Sequence, residues 1–189
     1  MMMALGQTVS DSGRVDYLVQ IAKIHQELAV PGDYAVTRRM TLQPEAAELV
    51  EADRNPAGEL RLLAPHAARA WLELKAAAVA AGHELQLITA YRSVEYQRGL
   101  VQRKRARGLA WDEIFRWSAA PGYSEHHTGR AVDISTPGCP PLETAFATTP
   151  AFAWLAVHAP RLGWRMSYPA DNPHGIAPEP WHWLFTYES

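Results

Sequence analysis

The stretch from Ser124 to Asp133, Ser-Glu-His-His-Thr-Gly-Arg-Ala-Val-Asp, constrains this chain more than any other segment. A histidine precedes a glycine, and an aspartate then follows in a run that alternates with apolar residues. After Gly129 this alternation predicts a strand in which Val132 faces one side and Asp133 faces the other. One ligand before a bend and a second on the following strand are typical of a metal site, and the ligand types favour zinc.

A second segment supplies the third metal ligand that the first motif lacks. A catalytic zinc site has three protein ligands and one open position, so a third ligand must come from elsewhere in the chain. The segment from Glu179 to Trp183 offers His182 on a predicted strand that begins at Pro180. Glu179 lies three residues before His182. The same segment can therefore provide a metal ligand and a nearby carboxylate that accepts a proton.

A third segment completes a resemblance to a known family. It is Ala90-Tyr91-Arg92-Ser93, followed by Gln97, at the end of a predicted strand that starts near Leu85. In order and spacing the three motifs resemble the VanY-like zinc D-alanyl-D-alanine carboxypeptidases, along roughly residues 35 to 187. That family is related in fold to lysostaphin-type and hedgehog-type domains.

The resemblance implies a role for residues of all three motifs. The implied roles are zinc ligand for His126, Asp133 and His182, catalytic base for Glu179, oxyanion stabilisation for Arg92, and substrate contact for Ser124, Gln97 and Tyr91. It also implies one Zn2+ ion per chain and a substrate taken from peptidoglycan or its peptide fragments. His127 stands where many relatives have glutamine, a departure that concerns substrate contacts and leaves the ligand set intact.

The expected reaction is hydrolysis of a terminal D-alanyl-D-alanine bond. A D,D-dipeptidase, a peptidoglycan endopeptidase and a zinc-holding binding domain without catalysis are the alternatives, and Glu179 together with Arg92 favours an enzyme. Serine catalysis is disfavoured because neither Ser-x-x-Lys nor Gly-x-Ser-x-Gly occurs. Cys139 is disfavoured as a nucleophile because its Gly-Cys-Pro-Pro setting offers no activating helix N-terminus.

The predicted fold class is α+β, a small antiparallel sheet with flanking helices, as in hedgehog-type and D,D-peptidase-like zinc folds. The strands are expected near Leu85, Arg130, Trp164 and Trp181. Residues 1–34 are predicted to form an N-terminal helical arm, and residues 35–189 the catalytic domain. Residues 44–50 are predicted to be helical. A helix over residues 94–107 carries five basic residues, which are interpreted as a solvated face rather than a patch for anionic wall polymer.

Composition excludes other classes of protein. A chain of 189 residues with 48% hydrophobic and 20% charged residues predicts a soluble globular domain with a real core, and we expect a monomer. The formal net charge of -2 argues against nucleic acid as a partner. No apolar run is long enough for a membrane span, and the first ten residues predict no signal peptide. The substrate class favours the periplasm or cell wall, whereas no signal peptide is visible, so a cytoplasmic role, a removed leader and another export route all stay open.

Overall fold

The computed structural model describes residues 11–186. The first ten residues, on which the signal-peptide prediction rests, lie outside the described residues. The helices are α1 (Asp11–Glu27), α2 (Tyr34–Thr37), α3 (Pro65–Ala80), α4 (Val94–Ala106), α5 (Trp111–Trp117) and α6 (Pro150–His158). The strands are β1 (Val50–Arg54), β2 (Leu60–Leu63), β3 (Gln86–Thr89), β4 (Ala131–Ser135), β5 (Trp164–Met166) and β6 (His182–Phe185). Within the described range, no helix is both long and apolar enough to cross a membrane.

A four-stranded sheet with the order β3-β4-β6-β5 forms the centre of the fold, and all its neighbouring strands are antiparallel. This confirms the predicted α+β class and the predicted strands. Across β4 and β6, Asp133 is paired with His182 and Ala131 with Leu184. Because directly paired residues point to the same face of a sheet, Asp133 and His182 stand side by side.

The opposite face of this sheet packs into the main core. Val132, Ile134 and Trp183 are buried there together with Trp71 and Leu74 of α3. Burial of one such large apolar side chain contributes about 1.5–3 kcal/mol. A slip of one residue in β4 would exchange these apolar side chains for polar ones, so the core fixes the register that presents the polar face.

A second hydrophobic cluster joins α1, α4 and α5. Its buried side chains include Ile21, Val101, Ile114 and Phe115. The polar face of the sheet is thus bordered by helices that have a core of their own. The division into an arm of residues 1–34 and a catalytic domain stays a prediction.

The predicted helix over residues 44–50 is wrong. This segment has no regular secondary structure before β1 begins at Val50, and β1 pairs with β2 as an antiparallel hairpin. Tertiary hydrogen bonds account for the difference. The backbone N–H of Ala46 donates to the carbonyl of His127 at 2.8 Å, and the Glu45 carboxylate accepts from the N–H of Val94 at the start of α4. A helix this short has little stability of its own, so such contacts override the local pattern.

Candidate metal centre

The turn between the first two candidate ligands requires glycine. Residues 125–128 form a short 3-10 helix that ends at Gly129, whose φ is +64°. A Cβ atom at this position would lie 2.9 Å from the backbone nitrogen of Ala64, closer than real Cβ contacts come. The left-handed turn reverses the chain directly into β4 and so brings His126 back toward Asp133.

Three buried side chains meet on the polar face of the sheet, and we call His126, Asp133 and His182 the ligand cluster. One nitrogen or oxygen atom from each lies within 4.8 Å of the others. His126 Nε2 is 3.3 Å from Asp133 Oδ2, and His182 Nδ1 is 3.0 Å from Asp133 Oδ1. Two imidazoles and one carboxylate at this separation fit a tetrahedral zinc ion with one position left open.

The hydrogen bonds of His126 show that its free nitrogen faces the cluster. Nδ1 donates to the carbonyl of Ala90 at 2.6 Å, whereas Nε2 is buried and has no hydrogen-bond partner. Burial and the nearby Arg92 charge lower the pKa of His126 to about 4, so the ring is neutral and Nε2 carries a lone pair. That lone pair faces Asp133 Oδ2, which already accepts a hydrogen bond from Thr89 Oγ1. Two electron-rich atoms facing each other in a buried place fit a cation between them.

His182 is held from its outer side by a second carboxylate. Its Nε2 donates to Glu125 Oε2 at 2.9 Å, which leaves Nδ1 directed at Asp133. Glu125 also accepts a hydrogen bond from Ser167 Oγ at 2.6 Å, and Arg165 lies 3.4 Å from its other oxygen. Burial lowers the pKa of His182, but its hydrogen bonds to Asp133 and Glu125 outweigh burial and raise it to about 10, so a zinc ion at Nδ1 would replace the proton that Asp133 otherwise holds there. A carboxylate behind a histidine is the arrangement that orients metal ligands in proteins.

Glu179 lies in the same cavity but outside the ligand cluster. Burial is the largest influence on its carboxyl group and raises its pKa to about 7. The charges of His182 and Arg92 oppose this increase, while that of Asp133 adds to it. A carboxyl group with a pKa near 7 can both accept and release a proton at neutral pH, which is the property of a general acid–base.

One cavity of about 30 Å³ collects most of the predicted site residues. Its lining includes Arg92, Gln97, Ser124, His126, Glu179 and His182, with Tyr168 and the segment Trp117–Ala119 on the remaining sides. Tyr91 instead lines an adjoining groove of about 490 Å³, together with Arg92 and Thr89. The structure therefore brings together the predicted metal and acid–base residues and places Tyr91 beside them.

His127 forms a buried connection to Arg92. Its Nδ1 donates to the Arg92 carbonyl at 2.7 Å, and its Nε2 accepts from the N–H of Gly122 at 3.1 Å. The N–H of Arg92 in turn donates to the carbonyl of His126 at 3.2 Å. Both backbone groups of Arg92 are thus tied to the loop that carries the first candidate ligand.

Glu125, Thr89 and Ser167 had no predicted role, although all three hydrogen-bond within the site. The sequence did offer a signal for a role of Glu125 at the site, because this acidic residue directly precedes the candidate ligand His126. Thr89 and Ser167 lie in predicted strands, but neither position suggests a partner. The pairing of β3 with β4 brings Thr89 to Asp133, and Ser167, directly after β5, meets Glu125 of the 3-10 helix.

Comparisons with known proteins are consistent with this geometry. Residues 60–188 match the family model described as VanY, D-alanyl-D-alanine carboxypeptidase. A D-alanyl-D-alanine carboxypeptidase of Enterococcus faecalis is 32% identical over 105 residues, which cover 50% of this chain and 37% of the relative. The chain thus spans well under half the length of that relative.

Two solved structures share the fold. The LdcB LD-carboxypeptidase, whose structure concerns peptidoglycan recognition, has a TM-score of 0.66 and 29% identity, over 75% of this chain and 69% of that one. A variant of the vancomycin-resistance D,D-pentapeptidase VanY in complex with Zn(II) has a TM-score of 0.57 and 27% identity, over 76% of this chain and 83% of that one.

Proposed function

Because this chain belongs to the VanY family of D-alanyl-D-alanine carboxypeptidases, we propose that it is a zinc-dependent peptidase that removes the terminal residue from peptides ending in D-alanyl-D-alanine. The substrates would be peptidoglycan or its peptide fragments. The observation that carries this proposal is a buried cluster of two histidines and an aspartate in reach of a glutamate and an arginine that line the same cavity. A binding domain without catalysis would not need the glutamate and the arginine.

The ligand cluster would hold one zinc ion per chain, through His126 Nε2, His182 Nδ1 and the Asp133 carboxylate. The other ring nitrogens are not available as ligands, because His126 Nδ1 is hydrogen-bonded to the Ala90 carbonyl and His182 Nε2 to Glu125. A bound zinc ion would polarise the scissile carbonyl and make a water molecule acidic enough to lose its proton near neutral pH.

Proton transfer is the task of Glu179. Its raised pKa suits a group that accepts a proton from the attacking water and then donates it to the leaving amine. Arg92 would donate hydrogen bonds to the carbonyl oxygen as negative charge develops there. Its Nε is buried without a partner, so the guanidinium has donor capacity to spare. One well-placed donor of this kind is worth about 3–4 kcal/mol in other oxyanion holes.

A second candidate reaction is removal of D-alanine from an L,D bond. The similarity to LdcB, an LD-carboxypeptidase, favours it. The same ligand cluster and the same Glu179 would serve both reactions, since the two substrates differ in the configuration of the residue before the bond.

Two variants test the proposal. Glu179→Gln should keep zinc while losing about a hundredfold or more in turnover of a D-alanyl-D-alanine peptide, because it removes only the proton carrier. His182→Ala should lose zinc and activity together. Metal content and hydrolysis of matched D,D and L,D peptides are measured on both variants. Full zinc occupancy in His182→Ala, or near-normal turnover by Glu179→Gln, would contradict the assignment.

A further inference from the structure

Lys104 differs from the other basic residues of the segment 94–107. The sequence suggested a solvated face for all five, and Arg103, Arg105 and Arg107 are exposed, whereas Arg98 is half-buried and paired with Glu27 and Glu95. Lys104 is half-buried, and its Nζ donates to Ser118 Oγ at 2.7 Å. Ser118 lines the cavity of the metal centre. The ammonium group is thus held against a residue of the cavity wall.

Helix geometry explains why this one residue turns inward. Gln97, also on α4, is buried and lines the cavity. Lys104 follows Gln97 by seven residues, or about two helical turns, so both lie on the same side of the helix. The arginines on either side of Lys104 point elsewhere, and Arg105 lies over the ring of Trp111.

The surroundings of Lys104 carry an excess of positive charge. The hydroxyl proton of Ser118 already goes to the carbonyl of Trp117 at 2.7 Å, so this serine offers the ammonium only a neutral acceptor. Arg92 is the nearby cation and Glu179 the nearby acid that act on Lys104. Two cations therefore stand near a single acid, which leaves a partly desolvated positive charge unbalanced.

Gln97 gives a second, independent indication of a ligand. Its Nε2 donates to the carbonyl of Ala119 at 2.8 Å, whereas its Oε1 is buried and unpaired. A buried polar atom of this kind normally has a partner, and this one belongs to a side chain that lines the cavity. A polar ligand that carries both an N–H group and a negative charge would satisfy Gln97 and Lys104 together.

Resting on the proposed function, we propose that Lys104 is a specificity-determining residue that binds the free α-carboxylate of the residue to be released. A C-terminal peptide unit offers this combination, because its N–H and its carboxylate belong to the same residue. A bond inside a peptidoglycan strand is followed by a neutral amide, which leaves the ammonium without a counter-ion. Lys104 therefore makes the site favour an exopeptidase reaction over an endopeptidase reaction.

The test compares two substrates that differ only in this carboxylate. They are an N-acetylated peptide ending in D-alanyl-D-alanine and the same peptide with a C-terminal amide. The zinc-loaded protein should prefer the free acid in kcat/KM. Lys104→Met should reduce this preference by about tenfold to a hundredfold, as expected for a hydrogen bond to a charged group. Most of the loss should appear in KM. Lys104→Arg should retain most of the preference.

Arg107→Met is the matched control, because it removes one exposed positive charge near the same helix end. Circular dichroism checks folding, and Lys104→Gln replaces Lys104→Met if the latter unfolds. An unchanged preference in the neutral Lys104 variant, with hydrolysis intact, would overturn the inference and leave the proposed function standing.

Measurements of peptide binding distinguish the proposed function from the inference about Lys104. The same peptides are titrated into the zinc-loaded Glu179→Gln protein, with and without the Lys104 substitution. If neither peptide is hydrolysed by the unmodified protein but the acid binds more tightly through Lys104, the proposed reaction fails while binding of the carboxylate by Lys104 stands. Equal binding of acid and amide would overturn the inference whatever the rate of hydrolysis.

Discussion

Replacement of Glu125 by glutamine should weaken zinc binding although Glu125 is not a candidate ligand. The carboxylate accepts hydrogen bonds from His182 at 2.9 Å and from Ser167 at 2.6 Å, and it is largely buried. Glutamine keeps the size of the side chain and one acceptor oxygen, so no cavity is created. It removes the negative charge that holds the outer nitrogen of His182 as a donor and makes the inner nitrogen a better ligand.

The magnitude follows from the type of hydrogen bond that is lost. A hydrogen bond to a charged group contributes about 1.5–3 kcal/mol, against about 1 kcal/mol for a neutral one. Because glutamine retains the neutral bond, the net loss lies at about 0.5–2 kcal/mol. Each 1.4 kcal/mol corresponds to a factor of about ten. We therefore expect the zinc dissociation constant of Glu125→Gln to rise by about tenfold, and that of Glu125→Ala by up to about a hundredfold.

Competition with a zinc-binding chromophore measures this constant on the metal-free protein at fixed pH and salt. Glu73→Gln is the control, because Glu73 is an exposed acid on α3. Affinity in both Glu125 variants within about twofold of the unmodified protein would refute the reasoning. So would an equal loss in the Glu73 control, since the effect would then come from overall charge.

Three other outcomes are expected. A strong chelator should abolish hydrolysis, and added zinc should restore it. Penicillin should leave activity unchanged, because no Ser-x-x-Lys motif occurs. Activity that persists in chelator would contradict the zinc-dependent reaction. His127→Gln should keep most activity, because an amide can also bridge to the Arg92 carbonyl, whereas His127→Leu should lose about tenfold in kcat with zinc retained. Burial raises the pKa of Asp53, but hydrogen bonds from Lys75 and Trp71 outweigh burial and lower it. Asp53→Asn should therefore cost about 1 kcal/mol of unfolding free energy at pH 7, a value kept small by solvent screening. Because the folded pKa is the lower one, this difference should be present above about pH 4 and shrink as the pH falls further, as denaturant unfolding at pH 7 and pH 3 would show.

The sequence by itself determined the parts of the site that depend on local order. Alternation after Gly129 predicted which face of β4 carries Asp133, and Pro180 predicted where the strand with His182 begins. The strand pairing confirms that these two residues share a face. Such predictions succeed because the two-residue period of a strand is fixed by its backbone.

Only the tertiary structure decided which groups stand behind and around the ligand cluster. Residues 44–50 follow a helical pattern, yet a hydrogen bond accepted by Glu45 and another donated by Ala46 keep them out of a helix. Glu125 reaches His182 across 57 positions of sequence, and Lys104 of α4 reaches Ser118, which lies beyond the end of α5. Contacts of this kind depend on how whole elements pack, and packing is set by the two hydrophobic cores rather than by the residues that make the contacts.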